Sequence, residues 1–185
     1  NINKWKKFYS QFHNDLPIYI APGNHDVGLP DSATRDIFEL TKHKNQHKYK
    51  FPFWFKWEGN FFIIDDSNNL SKPLDKVLPL IRKSNKDEPI FIIRHHVLPK
   101  SLKFASNAKA IQPYMKDSEF NIEGKINAKK NITFIYGDGG AFKNLPRIAC
   151  LKTHKVNHIV NGIGELTGDT VLVIHDKQIY RKEIN

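Results

Sequence analysis

A single cysteine in 185 residues, Cys150, excludes an intrachain disulfide and any zinc site built on thiolates. No apolar run approaches the ~20 residues that a bilayer-spanning helix needs. The first residues, Asn1-Ile2-Asn3-Lys4-Trp5, hold neither an initiator Met nor the apolar stretch of a signal peptide. These absences predict a fragment or a processed form without a transmembrane segment, and the cysteine usage leans towards a reducing, cytoplasmic compartment. Internal repeats and low-complexity linkers are also missing, so residues 1–185 read as one domain. Two glycosylation sequons occur, Asn69-Leu70-Ser71 and Asn131-Ile132-Thr133, but such triplets arise by chance in any Asn-rich chain.

What the chain does have is apolar material: 39% hydrophobic residues, with 12% aromatic, suffice for a core without staples. A net charge of +10 suits a polyanionic partner, yet no RNA-binding signature or aromatic-interleaved basic repeat accompanies it, so nucleic acid is not the favoured partner. The densest basic cluster is Lys42-His43-Lys44 continuing through His47-Lys48 to Lys50. It reads as a solvated helix end that could also overhang a phosphate, and this segment and Arg94 fit an anionic substrate.

Periodicity orders the elements. Trp5, Phe8, Tyr9 and Phe12 recur at helical spacing, predicting an amphipathic helix over 4–13. A strand at 17–21 follows, then a helix over 31–41 capped by Asp31 or Ser32. Aromatic alternation from Tyr49 to Asp66, broken by Glu58-Gly59-Asn60, predicts a β-hairpin. A helix over 74–83 leads to a buried strand at 89–93 that closes in Arg94-His95-His96. The stretch 101–130 mixes helix and loop. A strand at 131–136 ends in Gly137-Asp138-Gly139-Gly140, and alternation near 147–153, 157–163, 170–175 and 178–183 predicts an antiparallel C-terminal sheet.

Gly23-Asn24-His25-Asp26, after the apolar run Pro17-Ile18-Tyr19-Ile20-Ala21, is the most chemically loaded tetrad. Gly lets the backbone approach a ligand. Asn offers an amide oxygen to a cation, and His passes a proton near neutral pH. The following Asp can hold the imidazole in one tautomer. The same residues also suit a plain strand-to-helix turn with Asp26 or Asp31 as cap. Position favours chemistry, because open α/β sheets place ligands at the carboxyl ends of their strands.

Three apolar strands end in ligand-capable groups: Asn24-His25-Asp26, His95-His96 and Asp138. Parallel strands would bring these ends together, and imidazole, amide oxygen and carboxylate suit Zn²⁺, Mn²⁺ or iron. A cation there could polarise a phosphoryl oxygen and lower the pKa of bound water.

At these residues the chain resembles the calcineurin-like metallophosphoesterase superfamily, whose Gly-Asn-His-Asp/Glu motif matches Gly23 to Asp26 in full. The helix and Pro-led strand before the tetrad, the hairpin running into Phe62-Ile63-Ile64-Asp65-Asp66-Ser67, and the strand closing in His95-His96 are also similar to that family. The resemblance implies an α/β fold, a four-layer α/β/β/α sandwich around two divalent metal ions (Mn, Fe or Zn). It implies hydrolysis of a phosphorylated substrate by metal-activated water. Asn24 and His95 would ligate one metal, with His96 as the alternative to His95. His25 would protonate the leaving oxygen and Asp26 would orient His25.

Two departures accompany the match. The family's early Asp-x-His and Gly-Asp-x-x-Asp motifs do not precede Gly23, so the chain is expected to be the C-terminal portion of such a domain, lacking its first βαβ unit. Where the family has Gly-His-x-His, this chain has Gly137-Asp138-Gly139-Gly140. Asp138 could ligate as a carboxylate, or the glycines could form an anion nest or a plain turn. The leading function is a metal-dependent phosphoesterase, and the alternative is a catalytically degenerate scaffold on the same fold. Substrate class and oligomeric state are not encoded in these motifs.

Overall fold

The computed structural model describes residues 17–23, 50–68, 74–98, 131–140, 147–152, 156–162 and 170–183, together with Lys7 and Ser10. The helix over 31–41, the stretch 101–130, and all of the helix over 4–13 except Lys7 and Ser10 lie outside the described residues. So does the basic cluster, apart from Lys50.

Aromatic alternation does produce a hairpin. Strands β1 (Phe53–Trp57) and β2 (Asn60–Ile64) pair antiparallel, from Phe53 opposite Ile64 to Trp57 opposite Asn60. Glu58 and Gly59 turn between them at φ of 47° and 72°, the left-handed pair that matches strand twist. From β2 onward the pairing is parallel: β2 to β3 (Ile90–Arg94), β3 to β4 (Ile132–Tyr136), and β4 to β6 (Val156–Asn161). Strand β5 (Ile148–Lys152) closes the far edge antiparallel to β6, giving the order β1-β2-β3-β4-β6-β5. The fold is thus mixed α/β around a six-stranded mixed sheet.

The interior strands read as continuous apolar runs because both faces are covered. One face packs Phe61, Ile63, Ile90, Ile92, Phe134 and Tyr136 beneath helix α1 (Val77–Ile81). The opposite face carries an aromatic ladder. Tyr19 stacks on Phe55 at 4.4 Å between centroids, Phe55 on Phe62 at 5.0 Å, and Phe62 on Phe91 at 5.3 Å. Aromatic pairs of this kind contribute about 0.5–1.5 kcal/mol each beyond their burial.

Three sequence expectations are revised. Residues 147–152 and 156–161 do not join an antiparallel C-terminal sheet: β6 inserts beside β4 in parallel, and only β7 (Thr170–His175) and β8 (Gln178–Glu183) form a separate antiparallel pair. Alternation marks a strand but does not tell which neighbour it takes. Residues 17–23 join no ladder among the described residues; they cross the aromatic face, held there through Tyr19. The helix over 74–83 shrinks to 77–81. Val77 N donates to Leu74 O, Lys83 N to Leu80 O and Ser84 N to Ile81 O, three-residue turns that tighten both ends. Pro79 is tolerated because it lies in the first turn, where an amide hydrogen has no helical partner. Among the described residues no helix is long and apolar enough to cross a membrane.

Strands β4 and β6 end in mutual backbone contact. A Cβ on Gly162 would collide with the Gly139 backbone, and one on Gly139 would sit 2.6 Å from Gly162 N. No rotamer relieves a clash with main chain. Gly162→Ala is therefore expected to cost about 2–3 kcal/mol or more in urea unfolding. Gly59→Ala meets open space and costs only the ~1 kcal/mol of its left-handed backbone. Equal costs for the two variants would show that the contact between the strand ends is relaxed in solution.

Candidate functional site

Parallel pairing continues past the strand ends. Asp65 N donates to Ile93 O at 3.0 Å, Gly137 N to Arg94 O at 3.1 Å, and Asp138 N to His95 O at 3.1 Å. The residues after β2, β3 and β4 are thereby held in step along one edge of the sheet.

His95 and Asp138 meet at this edge, with His95 Nε2 3.4 Å from Asp138 Oδ1. Their side chains are 21% and 15% exposed, open enough for a solute to reach. Glycine packs against the ring itself: a Cβ on Gly23 would lie 3.0–3.1 Å from His95 Nδ1, Cε1 and Cγ, over the face of the imidazole, and one on Gly137 3.5 Å from Nδ1. Gly23 is the residue immediately before Asn24. The last described residue of that segment therefore abuts the imidazole, while Asn24, His25 and Asp26 lie outside the described residues.

The donor pair suits a cation. Metal–donor bonds of about 2.1 Å place two tetrahedral donors about 3.4 Å apart, the observed separation. Imidazole with carboxylate is a common set for Zn²⁺, Mn²⁺ or iron. Among the described residues no group of three or more His, Cys, Asp or Glu side chains is gathered, so a full coordination shell would need donors outside them.

The glycines around Asp138 serve packing. Gly139 admits the backbone of Gly162, Gly140 sits at φ +79° against Arg147, and Gly162 N donates to Arg147 O at 2.8 Å. This frees Asp138 to face His95 from a turn that β6 braces.

His96 points elsewhere. Its ring is buried, with Nδ1 3.0 Å from Ser67 Oγ, and its backbone N–H donates to the same oxygen at 2.9 Å. Burial, reinforced by His95 and Arg94, lowers its pKa to about 4, so the ring is neutral at pH 7. Of the adjacent histidines, His95 is the one beside Asp138.

Arg94 also departs from expectation. The sequence suggested an anion-facing side chain, but Arg94 is 1% exposed and its Nη1 lies 3.4 Å from Asp65 Oδ2, also buried. A side chain this enclosed meets no substrate; it offsets a carboxylate at the end of β2. Desolvation nevertheless pushes the Asp65 carboxyl up to about 6, against the pull of Arg94.

The turn after β2 escaped the sequence reading. Asp66 Oδ1 accepts from Asn68 N at 3.1 Å and from Asn68 Nδ2 at 2.7 Å, and the same amide donates to Pro22 O at 3.2 Å. The available signal was that Asp65-Asp66-Ser67-Asn68 is a polar run closing a further apolar strand, β2.

No protein-family model, curated protein or solved structure matches the chain. The functional reading therefore rests on the motif and on this geometry.

The two buried groups titrate with opposite effects. Asp65 has a native pKa above its ordinary 3.8, so the native state holds its proton longer and stability falls as pH rises from 4 to 6. His96 has a native pKa below its ordinary 6.5, so stability falls as pH drops from 6.5 to 4. Arg94→Met is expected to destabilise by about 3–5 kcal/mol above pH 7, where Asp65 must ionise unpaired, and by clearly less near pH 4. His96→Gln should remove the acid-side loss. Urea midpoints across pH 4–8 check both, and a pH-independent penalty for Arg94→Met would refute the buried pairing.

Proposed function

We propose that this protein is a metal-dependent phosphoesterase of the calcineurin-like type, built on a four-layer α/β/β/α sandwich of which the six-stranded sheet supplies one layer. The observation carrying this reading is the position of Gly23, the first residue of the Gly-Asn-His-Asp motif, against the imidazole of His95, whose Nε2 lies 3.4 Å from Asp138 Oδ1. Gly23 and the end of β3 are distant in sequence yet adjacent in space, as a shared site requires.

In this reading His95 and Asp138 would hold a divalent cation together with Asn24, and the cation would supply Lewis acidity towards a phosphoryl oxygen and a water of lowered pKa. His25 donates a proton to the departing alkoxide, and Asp26 keeps the imidazole in the tautomer that can do so. Gly23, packed against the imidazole ring, restricts the side chain whose Nε2 lies 3.4 Å from Asp138 Oδ1.

A scaffold without catalysis is the second reading, favoured by one observation: Gly139 and Gly140 occupy the late motif and pack against the end of β6 and Arg147. That turn has no imidazole to offer a second metal.

His25→Ala in the full-length protein, assayed on an aryl phosphate with Mn²⁺, is expected to lower turnover by about a hundredfold or more at unchanged urea midpoint. His95→Ala should lower bound Mn²⁺ as well as turnover. Wild-type protein holding well under one equivalent of metal, with no hydrolysis, would establish the scaffold instead.

A further inference from the structure

We propose that the turn Asp65–Asn68 is a positioning clamp that holds the Gly23 segment and His95 in register, with Ser67 and Asn68 as positioning residues for the metal-ligating edge. The proposal rests on the phosphoesterase reading for its purpose, but on independent contacts for its existence.

Three side chains of this turn reach three different partners around the site. Asp65 meets Arg94, the last residue of β3. Ser67 takes the backbone N–H of His96 and faces its ring. Asn68, itself held by Asp66, donates to Pro22 O, one residue before Gly23. His95 therefore lies between two pinned residues, and the Gly23 segment, which joins no ladder among the described residues, is tied beside it by an amide hydrogen bond.

Ladder bonds alone leave this juxtaposition underdetermined. Pairing of β3 with β4 fixes His95 relative to Asp138, but it says nothing about residues 17–23, which sit across the aromatic face. Tyr19 anchors that segment four residues before Gly23. Asn68 anchors it at the near end, where a displacement would open the Gly23–His95 contact directly. Ser67 is fully buried, and its hydroxyl satisfies both groups when it accepts from His96 N–H and donates to Nδ1, leaving the ring proton on Nε2.

Outer supports of this kind change metal affinity by about 10–100-fold when removed. The test compares Ser67→Ala, Ser67→Thr and Asn68→Ala with wild type in the full-length protein, measuring Mn²⁺ affinity by calorimetry, kcat and KM on an aryl phosphate, urea stability, and ¹⁵N imidazole spectra. The expected result is Mn²⁺ affinity reduced about tenfold or more in Ser67→Ala and Asn68→Ala, with folded protein throughout the titration and substantial recovery in Ser67→Thr. Asn68→Ala carries the test if Ser67→Ala does not fold, because Asn68 is only part-buried. Wild-type Mn²⁺ affinity in Asn68→Ala, or losses that merely track the unfolded fraction, would overturn the clamp. If wild type and His95→Ala bind Mn²⁺ equally poorly, the phosphoesterase reading fails. The clamp is then judged on the spectra: it stands if Ser67→Ala mixes the His96 tautomers and falls if the Nε2–H form persists.

Discussion

Parallel pairing of β2, β3, β4 and β6 is the constraint on which the candidate site depends. Parallel strands share a direction, so their carboxyl ends must share an edge, and whatever polar residues follow them are gathered without further instruction. Here the gathering is tighter than topology alone requires. The ladder runs on through Asp65, Gly137 and Asp138, so His95 and Asp138 are placed by backbone hydrogen bonds rather than by side-chain packing. A donor pair held by the main chain varies less in separation than one on loops, which favours cation binding at a fixed geometry.

That edge is unusually costly to build. Asp65 and Ser67 after β2, and Arg94 and His96 at the end of β3, are all buried. A pair such as Asp65–Arg94 regains in attraction only part of what desolvation takes, and apolar residues of similar volume would serve stability as well or better. The raised Asp65 pKa and the lowered His96 pKa are the mark of that desolvation. What the polar cluster supplies is direction: each group fixes one strand end against another, whereas apolar contacts tolerate sliding. The aromatic ladder from Tyr19 to Phe91 lies on one sheet face and the cluster under α1 on the other, and together they give the burial that makes such a polar edge sustainable.

Much of the fold was legible where one signal settled the question. The hairpin at 53–64 was readable because β-rich aromatic text and Glu58-Gly59 agree on a two-residue turn. β3 and β4 were readable as short apolar runs, since both faces are covered. The place of β6 was not, because Val156 to Asn161 would show the same alternation against any neighbour, and only the parallel partner β4 decides it. Arg94 was misread for a related reason. At a strand end, a charged residue can face solvent or be drawn under the sheet, and the choice depends on a carboxylate twenty-nine positions earlier, Asp65. The role of Ser67 and Asn68 was invisible because turn residues are so often only turn residues.

The energetics of the His95–Asp138 contact separate a metal site from a scaffold more sharply than the motif does. As an ion pair, His95 and Asp138 at 3.4 Å and partly exposed contribute little to stability. A scaffold would gain almost nothing by keeping them, or by packing Gly23 against the imidazole ring of His95. A cation site needs both features, since the ligating nitrogen must be presented and the ring must not turn. The weakness of the pair as a structural contact, set beside the care with which the chain holds it, is what favours a bound metal over an empty fold.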